Sequence, residues 1–234
     1  MSALFTPDDW AILLLSLKVS GAAIVAVLPL AFALAWMLAR WRFPGKVLLD
    51  ALVHLPLVLP PVVTGWLLLI ALGNNAPLGR YLESTLGITF LFRWTGAALA
   101  AAVMALPLMV RAMRLSIEAI DPRLERAART LGAGPWRTFA AITLPLCANG
   151  ILAALVLGLA RSVGEFGATI TFASNIPGET QTLPLAIYSA LQVPGSEWQV
   201  TRLAALSVLL SLGALVLSET LARRSGLERA RHVL

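Results

Sequence analysis

Few side chains in this sequence are of a type that does chemistry, and most of those stand alone. There are two histidines, His54 and His232, and one cysteine, Cys147. Cys147 lies within an apolar run, which excludes an intrachain disulfide framework and a Cys-x-x-Cys metal site. The sequence contains no Gly-x-Ser-x-Gly, no His-Glu-x-x-His and no paired carboxylates within its apolar segments, so the usual hydrolase and zinc-peptidase signatures are missing. It also lacks Gly-x4-Gly-Lys-Ser/Thr, so the chain has no P-loop for ATP. His54, two residues before Pro56, reads as a packed histidine or a kink partner. We expect no catalytic residue, no metal ligand and no cofactor held by this chain.

One pair of ionisable residues lies where charge is expensive. Arg161 and Glu165 fall at i, i+4 at the end of an apolar run, and ionisable groups at membrane depth point first to a pathway. Two readings of these residues stand open. In one, the pair neutralises itself on its own helix. In the other it lines a route: Gly164 and Gly167 bracket Glu165, leaving backbone N–H groups able to meet an anion. Thr169, Thr171 and Asn175 continue the same polar, glycine-broken segment, and Leu183–Leu191 reads as a short helix beyond it.

The elements that must hold these residues follow from composition. The chain is 59% hydrophobic and 13% charged, with a mean hydropathy of +0.83; soluble proteins carry about 25% charged residues. It is expected to be an integral membrane protein, all-α, a polytopic bundle with five transmembrane helices. The spans are placed at Leu17–Leu38, Val47–Leu72, Thr95–Met113, Thr138–Val163 and Leu203–Leu221, each able to cross about 30 Å of hydrocarbon. Pro56, Pro60 and Pro61 should bend or unwind the second, which a membrane tolerates only beside protein or a water-filled cavity. A surface helix is expected at Gly79–Leu86. Lys18 lies at the outer end of span one, where it can snorkel. Trp10, Trp41, Trp94 and Trp198 read as interfacial anchors. The acidic start, MSALFTPDDW, has no basic n-region, so the first span is expected to be retained rather than cleaved.

Charge position then gives orientation. Arg40, Arg42, Lys46, Arg111, Arg114, Arg123, Arg126, Arg129, Arg137 and the four arginines from Arg223 to Arg231 share one side, against Arg80, Arg93 and Arg202 on the other. Basic loops stay inside, so the N-terminus is expected outside and the C-terminus in the cytoplasm. The net charge of +6 is therefore a topological signal, and nucleic-acid binding is not expected. No internal repeat or array of central carboxylates speaks for a secondary transporter.

The segment least explained by life in lipid is residues 121–145, DPRLERAARTLGAGPWRTFAAITLP. Asp121 suits an N-cap, Pro122 the first helical position and Gly132 a left-handed stop. The resulting helix, Pro122–Leu131, is about 15 Å long, too short to be stable alone, so something must pack on it. Gly134-Pro135 turns the chain, Trp136 opens the next helix, and Pro145 implies a kink or break in it. From the residues alone this is either a basic loop obeying the topology rule or a mechanical coupler to a soluble partner.

The spacing Glu125, Ala127-Ala128, Gly132, Ile142-Thr143-Leu144-Pro145 resembles the EAA loop of bacterial ABC importer permeases, with Arg126 inserted where the family motif runs Glu-Ala-Ala. The segments GEFGATITFASNIPGETQTLPLAIY, HLPLVLPPVV and LPLMVRAMRLSIEAID are similar to those of the oxyanion importers within that family, in their molybdate form. The resemblance implies a single permease domain over residues 1–234, with a cytoplasmic coupling helix on which Asp121, Glu125, Ala127, Ala128, Gly132, Trp136, Ile142 and Pro145 serve ATPase contact. It implies a translocation pathway near Arg161, Gly164, Glu165, Gly167, Thr169 and Asn175. It also implies a homodimer in the bacterial inner membrane, two cytoplasmic ATPase subunits binding ATP and Mg, a periplasmic molybdate-binding protein and alternating access.

Overall fold

The first helix begins earlier than hydropathy suggests. In the computed structural model, which describes residues 5–231, α1 spans Pro7–Arg40. Thr6 caps it: its hydroxyl accepts from the Asp9 N–H at 3.3 Å, and Asp9 Oδ2 accepts from the Thr6 N–H at 2.8 Å. This reciprocal box satisfies two otherwise orphaned donors, and Pro7 occupies the position where its missing N–H costs nothing. At 34 residues, α1 is about 50 Å long, well beyond the thickness of a bilayer core. Lys18 therefore lies well inside the helix, and its ammonium rests over the Trp94 ring, 3.9 Å from the centroid.

The proline-rich second span is broken, as its composition demands. α2 (Lys46–Val58) and α3 (Pro61–Leu72) meet at an angle of 117°. Pro60 and Pro61 impose the break, because the residue before a proline is pushed out of the helical region; Leu59 sits at ψ 142°. A surface helix, α4 (Pro77–Leu86), follows, two residues longer at its start than expected. α5 (Trp94–Glu118) comes next. Glu179, from a distant loop, accepts the Trp94 N–H at 3.3 Å and so caps it from outside.

After α6 (Pro122–Thr130) and α7 (Pro135–Thr138) the chain passes directly into a π-helical turn, Phe139–Thr143, and then α8 (Leu144–Val163). Pro145 explains the π turn: a proline cannot donate to the residue four back, and the ladder widens to i→i−5, with Leu144 N–H bonded to Phe139 O. The expected kink is thus absorbed as a register change. α9 (Gly167–Phe172), α10 (Leu183–Leu191) and α11 (Glu197–Arg231) complete the order, with no strand among the described residues.

α1, α5 and α8 form the core. Their contacts are built from Ala23, Ala31, Ala35, Ala97, Ala101, Ala105 and Ala154, all essentially inaccessible, with Met109 and Met113 filling the gaps. Small side chains let membrane helices approach closely and gain dispersion contact where no hydrophobic drive exists. Among the described residues, three helical runs are long and apolar enough to cross a membrane: Pro7–Arg40, Trp94–Glu118 and the continuous Pro135–Val163. The bent α2–α3 pair makes up to four.

Candidate functional site

The structure builds two polar assemblies on this apolar frame, at opposite ends of α8. The first is the α6 stretch. Asp121 Oδ1 accepts the Arg123 N–H at 2.8 Å, fixing the helix start. At the other end Gly132 stands at φ +83°, the Gly132 N–H bonds to Arg129 O and the Ala133 N–H to Ala128 O, both at 3.0 Å. These two bonds are a complete Schellman closure, which a left-handed residue makes possible. No residue of α6 is buried. Leu124 and Leu131 are exposed, and Trp136 is 82% exposed although it touches Phe139 edge-on. Ala127 is exposed and Ala128 half-buried. The helix is thus closed at both ends and still presents an apolar face to nothing in this chain.

One residue of α6 turns inward. Glu125 Oε1 accepts from Arg40 at 2.8 Å and from the Thr143 hydroxyl at 2.9 Å. Arg40 is in the last turn of α1 and Thr143 in the π turn. A single carboxylate therefore joins the short helix to the ends of two membrane helices. Charge-assisted bonds of this kind contribute about 1.5–3 kcal/mol each. Ile142 is half-buried in the π turn and Pro145 exposed just after it, so their part is in setting the turn that aims Thr143.

The second assembly lies beyond α8. Arg161 and Glu165 form an ion pair of 2.6 Å, and Glu165 is 3% exposed. Its other oxygen, Oε1, accepts the Ala168 N–H at 2.8 Å. The ion pair is the contact that the first reading of the sequence describes, and through the Ala168 N–H the same carboxylate also caps α9. Thr169 is buried, and the half-buried Thr171 donates to Gly167 O at 2.8 Å. Gly164 is exposed, and Asn175 donates to Ser189 at 2.6 Å, tying the segment to α10. α9 itself is pressed onto α3. A Cβ on Gly65 would stand 2.6 Å from the Ala168 carbonyl oxygen, and one on Gly167 2.8 Å from Pro61 Cβ.

Two connections escaped the sequence reading. Asp50 on α2 takes a forked pair of bonds from Arg114 on α5, 3.1 Å to each oxygen, while Arg114 also donates to Glu118 at 2.8 Å. His54 belongs to this group, with Nδ1 2.9 Å from Asp50 O and 3.2 Å from Asp50 Oδ1. At the far end of the molecule Arg202 donates to the buried Asp9 at 2.9 Å. The i, i+4 spacing of Asp50 with His54 and of Arg114 with Glu118 was visible in the sequence; their meeting across helices was not. Among the described residues no group of three His, Cys, Asp or Glu is placed to hold a metal.

Known proteins of similar sequence and shape place this arrangement in context. Residues 22–226 match the family described as "Binding-protein-dependent transport system inner membrane component". The chain is 56% identical over 222 residues to the molybdenum transport system permease protein of Escherichia coli (strain K12), covering 95% of this chain and 97% of that one. It is 58% identical over 210 residues to the permease protein of the same description from Haemophilus influenzae, with coverage of 90% and 92%. A crystal structure of a bacterial ABC transporter involved in the import of the acidic polysaccharide alginate shares the fold, at a TM-score of 0.71 and 19% identity, over 94% of this chain and 80% of that one. With most of its length matched and its bundle of the same shape, the chain belongs to the binding-protein-dependent transport system inner membrane component family.

Proposed function

We propose that the chain is the membrane permease subunit of an ATP-driven molybdate importer, working in the inner membrane by alternating access. The observation that carries this is the 56% identity to a molybdenum permease along 95% of the chain. The transport role is non-enzymatic: hydrolysis belongs to a partner ATPase, which binds the ATP and Mg that this sequence has no loop to hold.

The working unit we propose is a homodimer with two ATPase subunits on the cytoplasmic side and a periplasmic molybdate-binding protein on the other. The bent α2–α3 pair counts as one span and Leu203–Leu221 of α11 as the fifth. The N-terminus lies outside and α6 inside, as the basic residues require. The unclothed apolar face of α6, with Leu124 and Leu131 at its end, is then the surface the ATPase covers, and Trp136 on α7 borders it. Asp121 and Gly132 fix the ends of that surface, Ala127 and Ala128 keep it low, and Ile142 and Pro145 shape the turn behind it.

Glu125 gives this contact mechanical meaning. A displacement of α6 pulls on Arg40 and Thr143 together, so α1 and α8 move with it. At the other end of α8, Arg161 and Glu165 sit at the junction with α9, where Gly164, Gly167, Thr169 and Asn175 hold the segment that bounds the route. There Glu165 positions α9 through the Ala168 N–H and pairs with Arg161 at 2.6 Å; the pathway is shaped by this segment rather than lined by a fixed anion site.

Reconstituted permease, ATPase and binding protein test the reading. Molybdate should stimulate ATP hydrolysis, tungstate should do so comparably because its oxyanion has the same shape and charge, and sulfate should stimulate weakly. Hydrolysis indifferent to molybdate, or uptake that survives a catalytically dead ATPase but fails with a proton uncoupler, would refute it.

A further inference from the structure

Beside Glu125, the inner half of α1 and the start of the α7–α8 run enclose an open groove of about 670 Å³. Its wall along α1 and the π turn is apolar: Leu30, Phe32, Ala33, Met37 and Phe139. From Leu30 to Trp41 it follows α1 for about 16 Å. Its rim is different. Trp41 and Trp136 line it there, 56% and 82% exposed, and Arg129 reaches it from α6. Outside the lining itself, Lys46 stands next to this rim, its ammonium donating to the Trp41 carbonyl at 3.3 Å. The one carboxylate in the wall is Glu125, already matched by Arg40 at 2.8 Å. Among the described residues Arg129 makes no ion pair.

We propose that this groove holds one anionic phospholipid, an acyl chain against Phe32 and Phe139 and the phosphate at the rim near Arg129 and Lys46. The argument is an apolar wall joined to a basic, tryptophan-bearing end. Tryptophans prefer the headgroup level of a membrane, and basic groups next to a span attract anionic lipid with about 1 kcal/mol each. Two exposed indoles, two cations and a largely apolar slot running along α1 match the two ends of one such molecule. A zwitterionic lipid fits the slot and gains less at the rim. The groove also touches Glu125 and the π turn, so its occupant sits against the joint between α6 and the bundle.

The test uses the full permease–ATPase complex, washed in detergent and weighed by native mass spectrometry after exposure to phosphatidylglycerol or phosphatidylcholine. Wild type should retain phosphatidylglycerol in preference. Arg129→Gln should reduce that retention by about fivefold, the loss of one cation. Ala33→Trp, which fills the groove and leaves every charge in place, should abolish retention of both lipids at this site. Equal retention by wild type and both variants would overturn the proposal. So would a photo-crosslinking residue at position 33 that captured the ATPase or a second permease chain in membranes instead of lipid. None of these outcomes depends on which oxyanion is carried.

Discussion

Gly132 can be tested apart from its surroundings, because a Cβ added there meets nothing within 4 Å. Any penalty is therefore one of backbone: φ is +83°, where an L-residue loses about 1–2 kcal/mol. We predict that Gly132→Val frays the end of α6 and weakens co-purification of the ATPase, while Gly132→Asn, which tolerates the left-handed region, keeps most of it. Equal co-purification by both variants would contradict this. The glycine and the Asp121 cap were legible from residue type alone, since both encode a local backbone demand. The partners of Glu125 were not. Arg40 is 85 positions away, and nothing local to either residue marks the meeting. The same holds for Glu165: its neighbours left a self-neutralising pair and a lined route both open, and only the fold shows its carboxylate also accepting the Ala168 N–H.

Elements were legible where a single residue type dictates them. Leu183–Leu191 appears with the expected limits, α6 ends one residue short of expectation, and the break in the second span falls at Pro60-Pro61. What hydropathy missed was the first ten residues of α1, since Asp8 and Asp9 mimic a soluble end. The signal was present as a capping box, Thr6-x-x-Asp9 ahead of a long apolar run. The π turn was less accessible: Pro145 announces a disturbance, but whether it becomes a kink or a widened register depends on packing around Phe139, which contacts Phe32, Trp36 and Trp136. Packing of α3 on α9 yields a second prediction. Gly65→Ala places a methyl 2.6 Å from the Ala168 carbonyl, an overpacking cost of about 1–3 kcal/mol. The purified complex should melt at lower temperature, whereas Gly213→Ala, with open space around it, should not. An unchanged melting point for Gly65→Ala would show that α9 does not pack on α3 as described.

At the scale of the molecule, the two polar ties lie at opposite ends of α1. Asp9, 1% exposed, holds Arg202 of α11 at one end; Arg40 holds Glu125 at the other. Removing one partner of a buried pair costs about 3–5 kcal/mol, because the remaining charge is stranded. Arg202→Gln strands the buried Asp9 charge, whereas Asp9→Ala leaves the more exposed Arg202 and also removes the Thr6 N–H half of the capping box; both should lower the stability of the complex and the yield of folded permease. An unchanged melting temperature for both would show that this pair does not hold α1 to α11. Orientation has its own check. With Cys147 replaced by serine, a cysteine introduced at Gly134 should react with impermeant reagents only from the cytoplasmic side.

The central claim is that Glu125 links the ATPase-facing helix to the bundle. The direct measurement is molybdate uptake and ATP hydrolysis in the same proteoliposomes, for wild type and Glu125→Gln. Glutamine keeps the length and a hydrogen-bond acceptor but loses the charge that holds Arg40. We expect hydrolysis to persist while uptake falls by about tenfold, the loss of roughly 1.5 kcal/mol of charge-assisted bonding. Uptake and hydrolysis that stayed in their wild-type ratio would contradict the account.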